Sequence, residues 1–230
     1  MADKIQAPVI TLDGPGGAGK GTLTQLLANH LKWRLLDSGA LYRLTALSAL
    51  KQGVSLDNVA DLVQVASQLD VEFRPSTAGE PPRVILAGED VTTQLRTEEA
   101  GRDASRIAVL PEVRAALLQR QRDFRQPPGL IADGRDMGTV VFPDAPCKIF
   151  LTASVEERAR RRFNQLKQQG QDVKLSALLE ELKARDEQDM NRATAPLKPA
   201  DDAVVVDTTG HSIEEVLKII LGVWAEKSNA

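Results

Sequence analysis

Short apolar runs that stop abruptly at a polar residue or a turn punctuate the chain: VITLD (9–13), LIAD (130–133), KIFL (148–151) and AVVVD (203–207). Each is too short for a core helix and most are rich in β-branched residues, which predicts strands buried on both faces, as in a parallel sheet. A weaker fifth run, WRLLD (33–37), extends the set. Helical periodicity fills the intervals at 20–31, 39–52, 57–68, 96–109, 112–125, 154–169, 175–192 and 213–227. Strands alternating with helices predict an α/β domain with a central parallel five-stranded sheet flanked by helices. Ligands of such a sheet sit at the carboxyl ends of its strands. From about 70 to 95 the rhythm changes: alternating apolar positions flank the Gly/Pro-rich PSTAGEPP, which predicts a small antiparallel sheet inserted into the α/β plan.

Composition narrows the picture by exclusion. With 42% apolar residues among 230, a real core is available and global disorder is excluded. The formal net charge of −3 argues against nucleic acid or an anionic membrane as a partner bound through overall charge, so any anion site must be local. The single cysteine, Cys147, cannot form an internal disulfide and reads as a small core residue. No apolar run approaches the ~18 residues of a spanning helix and no leader pattern opens the chain, so a cytoplasmic protein is expected. Scarce aromatics weaken any reading as a base-stacking single-strand binder.

The stretch DGPGGAGKGT (13–22) follows the first strand and opens the first helix. Gly14, Gly16, Gly17, Ala18 and Gly19 let the backbone curl so that successive N–H groups point at phosphate oxygens, and the helix N-terminus adds its dipole. Lys20 supplies a mobile charge for the outer phosphates. The pattern G-x-x-x-x-G-K-[ST] asks for a hydroxyl next to the lysine, yet Gly21 stands there and Thr22 follows. Thr22 is therefore a candidate for the Mg²⁺ or β-phosphate side, acting through water. The form G-x-x-G-x-G-K-G-T resembles that of nucleoside monophosphate kinases. A triphosphate such as ATP is the implied ligand.

Three further elements carry charge to strand ends. In LLDSGALYR (35–43), Ser38 is a candidate N-cap and Arg43 lies just over one turn into the helix, a place from which to reach an acceptor anion. In GLIADGRDMGTVVFPDAP (129–146), Asp133 ends a buried strand as a Walker B acid does and could hold Mg²⁺ through water; Arg135 and Asp136 follow a sharp turn at Gly134. In the helix at 154–169, Arg158, Arg161 and Arg162 share a face; in the next, Arg185, Asp189 and Arg192 share another. Two arginine faces around a polar connection predict a short helical lid over a transferring phosphoryl group, where closure also excludes water. His30 and His211 are far apart, and no zinc cluster or nucleophilic triad is readable.

With these motifs in place, the chain resembles the bacterial cytidylate kinases, the (d)CMP kinase family of P-loop nucleoside monophosphate kinases, over nearly its whole length. The carrying segments are APVITLDGPGGAGKGT, LLDSGALYR, LIADGRDMGTVVFPDAPCKIFL, ERARRRFNQL and RDEQDMNRATAPLKPADDAVVVDT. The resemblance implies one P-loop kinase domain: a core over about 5–37, 126–154 and 195–230, a monophosphate-binding insertion over about 38–125 and a lid over about 155–194. It implies transfer of the ATP γ-phosphoryl to CMP or dCMP with Mg²⁺, by a monomer. It also implies that Arg43, Arg135 and Arg192 bind the acceptor phosphate, Ser105, Arg114 and Asp136 face cytosine, and Arg185 and Asp189 hold the sugar. Ser105 and Arg114 read as ordinary polar positions without it. Kinases of UMP, AMP or shikimate on the same scaffold remain alternatives. A nucleotide-gated switch would need an N-K-x-D motif, which the sequence lacks.

Overall fold

β1 (Val9–Asp13) is buried at every position, as a strand covered on both faces must be. It runs parallel to β6 (Leu130–Gly134) on one side and to β7 (Cys147–Thr152) on the other, with Asp13 opposite both Gly134 and Phe150. β2 (Arg34–Asp37) joins beyond β6 and β8 (Val204–Asp207) beyond β7, giving the five-stranded order β2-β6-β1-β7-β8. The parallel α/β sheet expected from the apolar runs is therefore present. The structure is a computed structural model that describes residues 6–74, 83–168 and 170–228.

The chain divides into two units. The first comprises residues 1–36 and 125–230, the second 37–124. In the first, α1 (Lys20–Leu31), α6 (Val155–Gln168), α7 (Leu175–Met190) and α8 (Ile213–Ser228) accompany the sheet. Its core unites Ile10, Leu12, Leu23, Leu27, Ile131, Ile149, Leu151, Val216 and Ile220. Ser212 and Glu215 start α8 with reciprocal bonds: the Ser212 N–H donates to Glu215 Oε2 at 2.8 Å and the Glu215 N–H to Ser212 Oγ at 3.2 Å.

The second unit is mostly helical: α2 (Ser38–Lys51), α3 (Val59–Ser67), α4 (Glu98–Ala108) and α5 (Pro111–Asp123). Tyr42, Ala46, Leu62, Ile107, Val113 and Leu117 form its core. The expected antiparallel insertion is here as β3 (Val71–Arg74), β4 (Arg83–Leu86) and β5 (Glu89–Asp90). Ala87 and Gly88 join the last two at φ 48° and 82°, the left-handed pair that a tight hairpin needs. The Gly/Pro-rich turn of the insertion lies outside the described residues.

Two local expectations are corrected. Ser38 is not the cap of α2: Asp37 is, its Oδ1 accepting the Ala40 N–H at 2.9 Å. Two capping residues stand side by side, and the one that ends β2 takes the role. Arg192 does not continue a helical face with Arg185 and Asp189, because α7 ends at Met190 with Asn191 as its C-cap.

Candidate functional site

The loop after β1 is shaped by contacts that exclude side chains. Gly14 has φ 143°, and a Cβ there would lie 2.0 Å from the Leu151 carbonyl oxygen of the neighbouring strand. Gly19 precedes α1 at φ 90°. Lys20, 6% exposed, turns back on the loop and donates from Nζ to the carbonyls of Gly14 and Pro15, both at 2.9 Å. Burial, then the Arg135 charge, push its ammonium down to about 8, while Asp133 and Asp13 oppose the shift. Asp133 Oδ1 stands 4.0 Å from Lys20 Nζ, and its Oδ2 would lie 3.9 Å from a Cβ on Gly21. Thr22 is exposed on the first turn of α1.

Arg135, immediately after β6, points at the same loop: a Cβ on Gly16 would lie 3.5 Å from its Nη2. Its Nε donates to Asp189 Oδ2 of α7 at 2.8 Å. Arg192 donates from Nε to the Asp189 carbonyl at 3.3 Å, and its Nη1 lies 3.9 Å from Asp189 Oδ1. Burial alone would raise the Asp189 pKa, but the Arg135 charge and hydrogen bond, with Arg192 and Arg185, hold it below the ordinary carboxylate value. Arg185 also acts electrostatically on Lys20. The first unit thus gathers Lys20, Arg135, Arg185 and Arg192 near the loop after β1, interleaved with Asp133 and Asp189.

Arg158, Arg161 and Arg162 of α6 are engaged differently from one another. Arg158 is 4% exposed; it donates from Nε to the Ala153 carbonyl at 3.0 Å and from Nη1 to the Gly16 carbonyl at 3.0 Å. It also forms a two-pronged pair with Asp186 of α7, at 3.1 and 2.5 Å. Arg161 is bound to Glu157 Oε1 at 3.0 Å, to Thr208 Oγ1 at 3.0 Å and to the Thr208 carbonyl at 2.6 Å. Arg162 Nη1 donates to Gln165 Oε1 at 2.8 Å.

In the second unit Arg43 Nη1 donates to the Leu95 carbonyl at 2.6 Å, and its Nη2 lies 3.5 Å from where a Gly101 Cβ would be. Ser105 Oγ donates to the Gly101 carbonyl at 3.0 Å. Arg114, buried, donates to the Ala108 carbonyl at 3.1 Å, and its guanidinium carbon lies 5.8 Å from the centre of the Tyr42 ring. Ser38 Oγ donates to Gln121 Oε1 at 2.7 Å. These four residues lie on α2, α4 and α5.

Sequence reasoning missed Asp13, Gln121 and Asp186. Asp13 is 5% exposed; its Oδ1 accepts the Met137 N–H and its Oδ2 the Gly138 N–H, both at 2.8 Å. Burial pushes its carboxyl up to about 6 even against these two bonds. A strand-end aspartate before a glycine loop is a local signal, but its partners lie 124 and 125 residues away.

A family profile described as cytidylate kinase matches residues 10–226 of the chain. A cytidylate kinase of Shewanella putrefaciens is 58% identical over 222 residues, covering 96% of this chain and 96% of its own. One from Pseudomonas syringae pv. tomato is 62% identical over 218 residues, at 95% of each. One from Pseudomonas entomophila is 63% identical over 215 residues, at 94% of each. Among the described residues, no helix is long and apolar enough to cross a membrane.

Proposed function

The chain belongs to the cytidylate kinase family, and on that premise we propose how its residues divide the work of moving a phosphoryl group from ATP to CMP or dCMP. The observation that carries the assignment is the gathering of Lys20, Arg135, Arg185 and Arg192 around the loop at the end of β1.

The loop amides of Gly16 to Gly21 and the N-terminus of α1 cradle the ATP phosphates. Lys20 leaves the carbonyls of Gly14 and Pro15 and follows the β- and γ-phosphates. Arg135 lies between Gly16 and Asp189 and would touch both the donor and the acceptor phosphates. Arg43, Arg135 and Arg192 hold the acceptor phosphate; Arg185 and Asp189 take the sugar hydroxyls. Asp136 accepts from the cytosine 4-amino group, while Ser105 and Arg114 donate to its ring acceptors. Uracil carries an oxygen at position 4, which a carboxylate repels. Ser38, held by Gln121, supports the acceptor side.

The acceptor is already an anion, so no protein base need remove a proton. An acceptor phosphate oxygen attacks the γ-phosphorus in line, the bond to the β–γ bridging oxygen breaks, and ADP leaves. Cations neutralise charge on the equatorial oxygens, which is the main protein contribution to such a transfer.

Mg²⁺ fits the residues present. Among the described residues no group of three or more His, Cys, Asp or Glu is arranged to hold a metal. Asp133 stands beside Lys20 and Gly21. Magnesium suits such a place, because it keeps several waters and takes one or two carboxylates plus substrate phosphates. Asp133 and Thr22 would hold it through water, and it would supply charge neutralisation at the β- and γ-oxygens.

The test is ADP release from ATP with CMP, dCMP, UMP and AMP, each at low concentration. Preference for CMP and dCMP is expected. Equal use of UMP would remove the role given to Asp136.

A further inference from the structure

We propose that Asp13 is a positioning residue for the acceptor base: it fixes the backbone of the turn after β6 so that Asp136 is presented to cytosine. The inference rests on the reading of Asp136 as the base contact.

Both Asp13 oxygens are committed, one to the Met137 N–H and one to the Gly138 N–H. Those amides open a single turn of π-helix (Met137–Val141), directly after Asp136. The carboxylate therefore caps a helical turn from another strand, a long-range version of an N-cap. The same turn closes on Asp136 itself, whose carbonyl accepts the N–H groups of Val140 at 2.9 Å and Val141 at 3.2 Å. Fixing the amides at 137 and 138 leaves the Cα of residue 136 little freedom.

The floor beneath the turn is built from the same strand face. Thr11 and Asp13 are two apart on β1 and so point to one side. A Cβ on Gly138 would lie 3.0 Å from Thr11 Oγ1 and 3.2 Å from Lys148 Cδ, so the turn is seated directly on β1 and β7. Lys148 Nζ pins the far end by donating to the Pro143 carbonyl at 2.6 Å, and is itself held by Asp202 at 2.9 Å. On the near side, Arg135 is tied to Asp189. Asp136, 5% exposed, lies in the chain between these anchors.

The placement carries a cost that a purely structural role would not require. The charged groups acting on Asp13 are Asp136, which repels it, and Lys20, which attracts it. Burial outweighs both, so the charged carboxylate is costly here.

The test compares the ratio of kcat/KM for CMP to that for UMP in the wild type, Asp13→Asn and Asp136→Ala, with melting temperature and KM for ATP measured in parallel. The asparagine keeps one acceptor but turns an NH₂ toward an N–H donor. Displacing the turn by a fraction of an ångström should lower the CMP/UMP ratio roughly ten- to a hundredfold, with KM for ATP nearly unchanged. Loss of selectivity in both variants carries the proposal. Selectivity lost in Asp136→Ala but kept in Asp13→Asn, with CMP and UMP turnover falling in equal proportion, overturns the proposal and leaves the role of Asp136 standing. Selectivity kept in Asp136→Ala overturns the base reading and the proposal with it. Hydrogen exchange in the wild type gives a check that needs no variant. Protection of the Met137 and Gly138 amides equal to that of β1, with or without CMP, supports the proposal, and rapid exchange overturns it.

Discussion

Replacing Arg158 by methionine separates two roles that the sequence alone would merge. A lid arginine would touch the transferring phosphoryl group. An anchor would hold the loop from behind. In the free protein Arg158 spends its donors on the Ala153 carbonyl, the Gly16 carbonyl and both oxygens of Asp186. Methionine keeps most of the alkyl volume and removes every one of these bonds. Breaking a buried ion pair by deleting one partner costs about 3–5 kcal/mol. Asp186 is 14% exposed and can recover some hydration, which favours the lower end, about 3 kcal/mol. At about 2–4 °C per kcal/mol for a chain of this size, the melting temperature should fall by roughly 6–12 °C. Removing Asp186 as well, in Arg158→Met with Asp186→Leu, should restore part of the loss, giving a coupling of about 2 kcal/mol in a double-mutant cycle. Urea and thermal unfolding of the single and double variants measure this. Kinetics supply the second arm: KM for ATP should rise because Gly16 is no longer held, with a smaller effect on kcat. A variant that keeps its melting temperature within about 1 °C while kcat falls on the order of a thousandfold would show the guanidinium acting on the phosphoryl group and would refute the anchor.

Other outcomes follow from the same geometry. Burial holds Lys20 near 8 rather than 10.5, so between those values the unfolded chain binds more protons and the free protein gains stability as pH rises. Lys20→Met should abolish that slope, stabilise the fold at pH 7 by up to roughly 3 kcal/mol, and lower kcat on the order of a thousandfold; urea midpoints against pH and steady-state rates check both. Asp13 titrates near 6 instead of 3.8, so the folded state binds more protons across that window and this contribution to stability falls as pH rises through it, by roughly 3 kcal/mol in all. Asp13→Asn should flatten the stability profile between those values. Gly14→Ala should be destabilising by several kcal/mol or fail to fold, since its Cβ would meet the Leu151 carbonyl at 2.0 Å, whereas Gly21→Ala, 3.9 Å from Asp133, should melt within about 2 °C of the wild type.

What the sequence disclosed and what it withheld separate along a physical line. β1 was legible because five consecutive buried positions leave a short, mostly apolar and β-branched run that stops at the loop. α1 was legible because its glycine loop and its first basic residue are adjacent in the chain. The α6 arginines were legible as a face but not as contacts. Spacing shows that Arg158 and Arg161 lie on one side of a helix; it cannot show that Asp186 and Thr208 wait there. Ser38 and Asp37 are both good caps, and the choice depended on where β2 ends. Asp13 and Gln121 act on partners 124 and 83 residues distant, and nothing periodic marks such a pairing. Ser105 and Arg114 carry no local signal at all, since both sit on helices as polar residues would.

The shifted threonine that first set this loop apart sits within a division of labour between two cations. In the free protein the loop carbonyls of Gly14, Pro15 and Gly16 are all turned toward positive groups, the first two toward Lys20 and the third toward Arg158. Turning carbonyls outward toward cations leaves the loop amides to face a phosphate. Arginine cannot deprotonate and is held in a two-pronged pair, so it suits the bond that persists through turnover. Lysine is a point charge on a flexible stem, and burial has already weakened its hold on its proton. Its two carbonyl bonds are the ones that a triphosphate can replace with stronger, charge-assisted ones. On the proposed reading, the loop is shaped before ATP arrives, and on binding only one of the two cations has to move.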